Sequence, residues 1–180
     1  MKKQHVEHVL RAAARITGEK EFIIIGSQAL HGTFPDVTDE IGMSVEVDLI
    51  AAVNADRTEL LNAIGQDSQF HETYGYYADP VDERTAALPN DWRQRLVTLR
   101  ADDDVTAYCL DPHDLAIAKY VARREKDVQF TRELARRGYT RQDRLLQLLD
   151  LTPVANEIKA RIVSYITADF EGAGRVRPKK

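Results

Sequence analysis

Two short stretches hold the residue types that phosphoryl chemistry uses. In the first, Gly26-Ser27 follows the β-branched run Phe22-Ile23-Ile24-Ile25 and opens a short helical stretch. Glycine lets a ligand approach the backbone, and the start of a helix offers unpaired N–H groups and partial positive charge. That arrangement suits a phosphate, with the Ser27 hydroxyl as an extra donor. In the second, Glu46-Val47-Asp48 lies in an alternating run over residues 43–53. Residues i and i+2 of a strand share a face, about 6–7 Å apart at the backbone. Two carboxylates so placed are hard oxygen ligands for Mg²⁺, or Mn²⁺ in its place, with water and substrate phosphates as the remaining ligands. Val45, Val47 and Leu49 occupy the opposite face. This points to an interior strand, where two uncompensated carboxylates are costly and a cation removes the cost.

The elements that must position these residues follow from periodicity. Val6, Val9, Leu10, Ala13 and Ile16 recur at helical spacing, so residues 4–17 read as an amphipathic helix stopped by Gly18. Residues 21–25 form a buried strand and residues 27–30 a short helix, followed by a polar loop over 35–42. Residues 43–53 form the second strand and Asp56 caps a helix to residue 64. Residues 70–78 read as a third strand, with Phe70, Glu72, Tyr74 and Tyr76 on one face. Residues 92–100 and 105–110 read as a hairpin around Asp102-Asp103-Asp104. From Asp111-Pro112 onward the chain is helical, at 112–122, 125–137, 140–150 and 153–169. The expected fold class is therefore α/β (α+β): a small mixed sheet flanked by helices, then a C-terminal helical bundle. We divide it into an α/β core over 1–110, a helical part completing the site over 111–171, and a basic, flexible tail over 172–180.

Composition sets the outer limits. The 180 residues are 43% hydrophobic and 30% charged, an ordinary balance for a soluble globular chain. The single cysteine, Cys109, excludes a disulfide framework and a cysteine-based zinc site. Met1-Lys2-Lys3-Gln4-His5 leads into an amphipathic segment, not an apolar signal core, and no apolar run is long enough to span a bilayer. The expectation is a reduced, cytoplasmic protein with no membrane partner. The net charge of -4 hides an asymmetry: residues 1–118 hold 21 acidic and 10 basic side chains, and residues 119–180 hold 8 and 15. The basic second part would favour an RNA backbone.

The two stretches together resemble a known signature. Phe22-Ile23-Ile24-Ile25-Gly26-Ser27 followed by Glu46-Val47-Asp48-Leu49 is similar to the hG[GS]…[DE]h[DE]h pattern of the polymerase-β-type nucleotidyltransferase superfamily. The spacer, residues 28–45, is longer than the usual one, and the first acid is Glu in place of Asp. Asp111-Pro112-His113-Asp114-Leu115 and the segment from Lys119 to Asp127 resemble the helical half of AbiEii/MenT-like minimal nucleotidyltransferases. Lys119, Arg123 and Asp127 lie at i, i+4 and i+8, one stripe of a continuous helix.

The resemblance implies a Mg²⁺-dependent transfer of a nucleoside monophosphate from an NTP, ATP among them, to an acceptor hydroxyl. RNA, tRNA in particular, is the acceptor that a toxin-like relative implies, with an antitoxin as protein partner. Glu46 and Asp48 would hold the metal, and Gly26 and Ser27 would seat the nucleotide phosphates. Lys119 and Arg123 would face the triphosphate, and Asp127 would orient Lys119 or act as base. The superfamily's third carboxylate has no counterpart in residues 105–110, leaving Glu72 or Asp127 to replace it. That gap motivates two rival readings: an inactive binding or antitoxin-type module of the same fold, and a small-molecule adenylyltransferase.

Other residues weigh less. His5 and His8 lie i,i+3 on the first helix without a carboxylate placed beside them, and Asp36, Asp39 and Glu40 read as a solvated loop. Tyr74, Tyr76 and Tyr77 could stack a base or pack on a strand. Cys109 lies in an apolar strand and reads as inert.

Overall fold

The computed structural model describes residues 1–34, 36, 37, 41, 44–102 and 104–176, with side chains to residue 173. Asp39, Glu40, Asp103 and the basic residues from Arg175 onward, each singled out above, lie outside the described side chains. The chain divides into two units: Met1–Thr85 with Arg95–Asp111, and Ala86–Gln94 with Pro112–Lys180.

The first unit is built on a five-stranded sheet. Helix α1 (Lys3–Thr17) places Val6, Val9, Leu10 and Ala13 in the core with no exposed area. It packs on β2 (Glu46–Ala51), β3 (Tyr77–Pro80) and the 3₁₀ helix Ala55–Ile64. Gly18 ends α1 with φ of 71°, a left-handed cap that glycine adopts without strain. With β1 (Glu21–Ile24), β4 (Val97–Arg100) and β5 (Thr106–Cys109), the strand order is β3-β2-β1-β5-β4. β1 is central, antiparallel to β2 and parallel to β5. Phe22, Ile23 and Ile24 are all buried, so both faces of β1 are covered, which explains why its sequence is a continuous apolar run and not an alternating one. β2 is also interior, since β3 pairs with it in parallel.

Several sequence expectations need correction here. Residues 70–78 are not one strand. Helix α2 (Gln69–Tyr74) comes first, and β3 begins only at Tyr77. Local capping overrides the alternating pattern: Ser68 Oγ accepts from the His71 N–H at 3.2 Å, and Gly75 closes the helix in the left-handed region. Residues 55–64 are 3₁₀, and the cap is Asn54, whose side chain accepts from the Asp56 N–H at 3.2 Å. The stretch after Gly26 is likewise 3₁₀, Ser27–Gly32. Residues Trp92–Arg95 form a 3₁₀ turn ahead of β4, not part of that strand.

The second unit contains α3 (Pro112–Ala122), α4 (Glu125–Arg137), α5 (Gln142–Asp150) and α6 (Asn156–Val176). Pro112 opens α3, as its fixed φ and missing N–H favour. α6 packs on α3, α4 and α5, and it extends to Val176, so the first residues of the expected flexible tail are helical. Asp169, 4% exposed, is the polar hub of this unit. Its carboxylate accepts from Tyr120 Oη and Thr131 Oγ1, both at 3.0 Å, and lies 3.6 Å from Arg132 Nε. Among the described residues, no helix is long and apolar enough to cross a membrane.

Candidate functional site

In the first unit, β1 leads directly to Gly26, and β2 runs beside it. The Ile25 N–H donates to the Asp48 carbonyl at 3.2 Å, fixing the end of β1 against the acid-bearing strand. Gly26 is buried, and the Asp48 side chain lies against its backbone. A Cβ on Gly26 would overlap the Asp48 carboxylate, with the carboxyl carbon only 2.5 Å away. Glycine is therefore required by Asp48, and the two sequence motifs meet at this contact. The 3₁₀ helix Ser27–Gly32 has six residues, too short for an aligned dipole of consequence, and the close approach that Gly26 allows is taken by the Asp48 side chain. Gln28, 1% exposed, ties this turn to the approach to β2 by donating from Nε2 to the Ser44 carbonyl at 3.0 Å.

β2 presents Glu46 and Asp48 on one face, both half-buried, while Val47 and Leu49 are fully buried on the other. The parallel register pairs Glu46 with Tyr77 and Asp48 with Asp79. Paired residues of adjacent strands project to the same face. Tyr77 Oη donates to Glu46 Oε2 at 3.1 Å, in accord with this. Burial pushes the Tyr77 phenol up to about 12, with further upward contributions from Glu46, Asp79 and Asp48. Three carboxylates thus act on one phenol. Asp79, absent from the sequence expectations, is the carboxylate that the register sets beside Asp48. β5 carries none, and Glu72 is exposed on α2. A period-2 reading that started at Tyr77 would have placed Asp79 beside the acid pair.

Among the described residues, no three His, Cys, Asp or Glu side chains form a metal-ligating cluster by themselves. Two strand carboxylates still match the protein's share of a Mg²⁺ site, since that ion keeps waters and takes substrate phosphates as ligands. Near the C-terminal ends of β2 and β3 lies a cavity of about 980 Å³, with Ile50, Thr58, Asp79 and Asp82 on its wall.

The second unit holds the cationic candidates. The expected continuous helix through Lys119, Arg123 and Asp127 is broken: α3 ends at Ala122, and Arg123 takes φ of 52°. Lys119 and Asp127 nevertheless meet, Nζ to Oδ1 at 3.3 Å, across the α3–α4 turn. Asp127 is 2% exposed, and its other oxygen accepts from the Arg124 N–H at 3.1 Å as part of the α4 cap. The Asp127 carboxylate is thus held on both oxygens, while Lys119 keeps 21% of its side chain exposed. Arg123 leaves the stripe and lays its guanidinium over the Tyr165 ring, 3.8 Å from the centroid. Its Nη1 is buried with no hydrogen-bond partner. Spacing alone could not show Tyr165, because a helix break decides where Arg123 points.

His5 and His8 turn to an aromatic cluster: His5 stacks on Tyr76, and His8 Nδ1 hydrogen-bonds Tyr76 Oη at 2.8 Å. Cys109 is fully buried, and burial pushes its thiol up to about 12, so it is not a nucleophile at neutral pH.

A mixed five-stranded sheet with a glycine turn pressed onto an acid-x-acid strand, and a set of C-terminal helices, are consistent with a nucleotidyltransferase-like fold. Residues 4–171 match a family described as "Nucleotidyltransferase of unknown function (DUF6036)", and the chain belongs to that family. No curated protein and no solved structure gives a significant match to the chain.

Proposed function

We propose that the protein transfers a nucleoside monophosphate from an NTP to an acceptor hydroxyl, releasing pyrophosphate, in the manner of AbiEii/MenT-like minimal nucleotidyltransferases. The observation that carries this reading is the contact of the Asp48 carboxylate with the Gly26 backbone. It sets a turn fit for phosphate beside an acid fit for a cation. In this reading Glu46 and Asp48 hold Mg²⁺, or Mn²⁺, and Asp79 is the third carboxylate. The metal supplies charge neutralisation and alignment of the attacking oxygen. Gly26 and Ser27 seat phosphate oxygens. In the second unit Lys119, oriented by Asp127, is a candidate point charge for phosphate, whereas Arg123 lies stacked on Tyr165. Asp127 is a positioning residue, not the base, because both of its oxygens are engaged.

RNA is the proposed acceptor, tRNA foremost, in a cytoplasmic setting with an antitoxin as partner. Pure protein incubated with each labelled NTP, Mg²⁺ and total tRNA tests the reading. Label should move to RNA in the wild type and not in a Glu46→Gln, Asp48→Asn variant. Transfer that survives both substitutions overturns the site. NTP binding without transfer to any acceptor would favour the inactive module, and transfer to small molecules alone would favour the adenylyltransferase.

A further inference from the structure

A second cluster in the first unit lies apart from the carboxylates. α1 contributes His8, Arg11, Ala12, Arg15 and Ile16, and α2 contributes Phe70 and Tyr74, to the wall of a cavity of about 380 Å³. The rings around it are ordered by one another. Tyr74 meets His8 edge-on at 4.6 Å and Phe70 at 4.9 Å, and His8 is fixed by its hydrogen bond to Tyr76. Burial, then Arg11, His5 and Arg15, lower the His8 pKa, so the imidazole is a neutral ring at physiological pH. If these aromatics served only to hold α2 on α1, they would be buried. Instead Tyr74 is 49% exposed, and Arg15 beside it is exposed.

Open aromatic surface interleaved with arginines is the composition that binds unpaired nucleic acid. Bases stack on the rings, and phosphates meet the cations. The cavity has the size of a small-ligand pocket. α2 also connects it to the carboxylate face. Phe70 and Tyr74, one helical turn apart, face the cavity, while the adjacent His71 lies 4.6 Å from the Tyr77 ring, whose hydroxyl holds Glu46.

We propose that this groove is a subsite for single-stranded RNA, in which one unpaired base stacks on Tyr74 and Phe70 and a flanking phosphate meets the exposed Arg15. Its role, to hold the acceptor strand near the carboxylates, rests on the nucleotidyl-transfer reading; its binding does not.

The test is fluorescence anisotropy of the full chain with a 5′-labelled oligouridylate, compared with an abasic strand of equal length and charge. Wild type should bind the base-bearing strand more tightly. Tyr74→Leu should weaken that binding about ten-fold and remove the preference over the abasic strand, whereas Tyr74→Phe should retain both. Arg15→Gln should weaken both strands and lower the salt slope by about one. The Glu46→Gln, Asp48→Asn protein should bind like wild type, which separates this subsite from the transfer chemistry. Equal affinity for the two strands, or an unchanged constant in Tyr74→Leu, overturns the proposal even if transfer is active. Binding that follows Tyr74 in a protein with no transfer upholds the subsite and refutes the activity.

Discussion

Each unit contains a buried tyrosine whose hydroxyl donates to a carboxylate, Tyr120 to Asp169 and Tyr77 to Glu46, and these pairs are built differently. In the helical unit, Tyr120 donates to Asp169, which is 4% exposed and also engages Thr131 and Arg132. In the sheet unit, Tyr77 donates to Glu46, which is half-buried, and two more carboxylates, Asp48 and Asp79, push the same phenol upward. The first arrangement brings donors and a cation to one acid, as a structural buried charge requires. The second gathers three carboxylates around one phenol on one strand pair, a set of hard oxygen groups suited to a cation. On the proposed reading, the difference separates a group kept for folding from groups kept for chemistry.

The strongest way to break this comparison is to neutralise each side. Glu46→Gln with Asp48→Asn should reduce nucleotidyl transfer by about 10³-fold, the scale of several kcal/mol of lost charge stabilisation. Thermal melting should show no loss of stability, because relieving like-charge repulsion compensates for the weaker bond to Tyr77. Tyr120→Phe should do the reverse, costing about 1–3 kcal/mol in denaturant unfolding while leaving turnover per folded molecule unchanged. Turnover that falls in Tyr120→Phe at full stability would make Asp169 part of the chemistry and end the distinction.

Gly26→Ala tests the contact that joins the two motifs. The added methyl would overlap the Asp48 carboxylate, so the acid must move. A displacement of about 1 Å at a catalytic group costs roughly 10²-fold in rate. kcat should fall by that order, with circular dichroism unchanged. Wild-type activity in Gly26→Ala would show that Asp48 does not act from the position observed.

What the sequence could and could not reveal follows the same division. β1, β2 and the Gly26 turn were legible, because apolar runs and period-2 alternation report which face of a strand is buried. Asp79 was not, because residues 70–76 also alternate, and only the Ser68 and Gly75 caps decide that α2 precedes β3. On the helical side, spacing put Lys119, Arg123 and Asp127 on one stripe. The chain keeps the Lys119–Asp127 pair but reaches it through a helix break at Arg123. A turn that returns the chain onto itself imitates i+8 proximity, and no periodicity distinguishes the two routes. The Arg123–Tyr165 stack joins α3's end to α6, a long-range contact with no local signature.

Lys119 sharpens the comparison from the helical side. Lys119→Met keeps much of the stem and deletes the charge, so KM for the NTP should rise about ten-fold, equivalent to roughly 1.4 kcal/mol of binding. Asp127→Asn should give a smaller rise in KM together with a lower melting temperature, since Asp127 also caps α4. A KM unchanged in Lys119→Met would leave Lys119 as a structural partner of Asp127, in the same category as Arg132 at Asp169.

The smallest effect is an alkaline one. The Tyr77 phenol stands at about 12 in the folded chain, against an ordinary 10.0. A group whose folded pKa is raised stabilises the fold through its protonated form. That contribution is fully present below pH 10 and is lost as pH rises through 12. The difference in unfolding free energy between wild type and Tyr77→Phe should therefore be constant up to pH 10 and then shift against wild type. Denaturant titrations of both proteins from neutral to alkaline pH measure it, and the difference cancels the contributions of the other tyrosines. Bound Mg²⁺ offsets the negative charge of Glu46, Asp48 and Asp79, the groups that help to raise the phenol. If those acids hold the ion, adding it should lower the Tyr77 titration toward its ordinary value, and an unmoved titration would place the metal elsewhere.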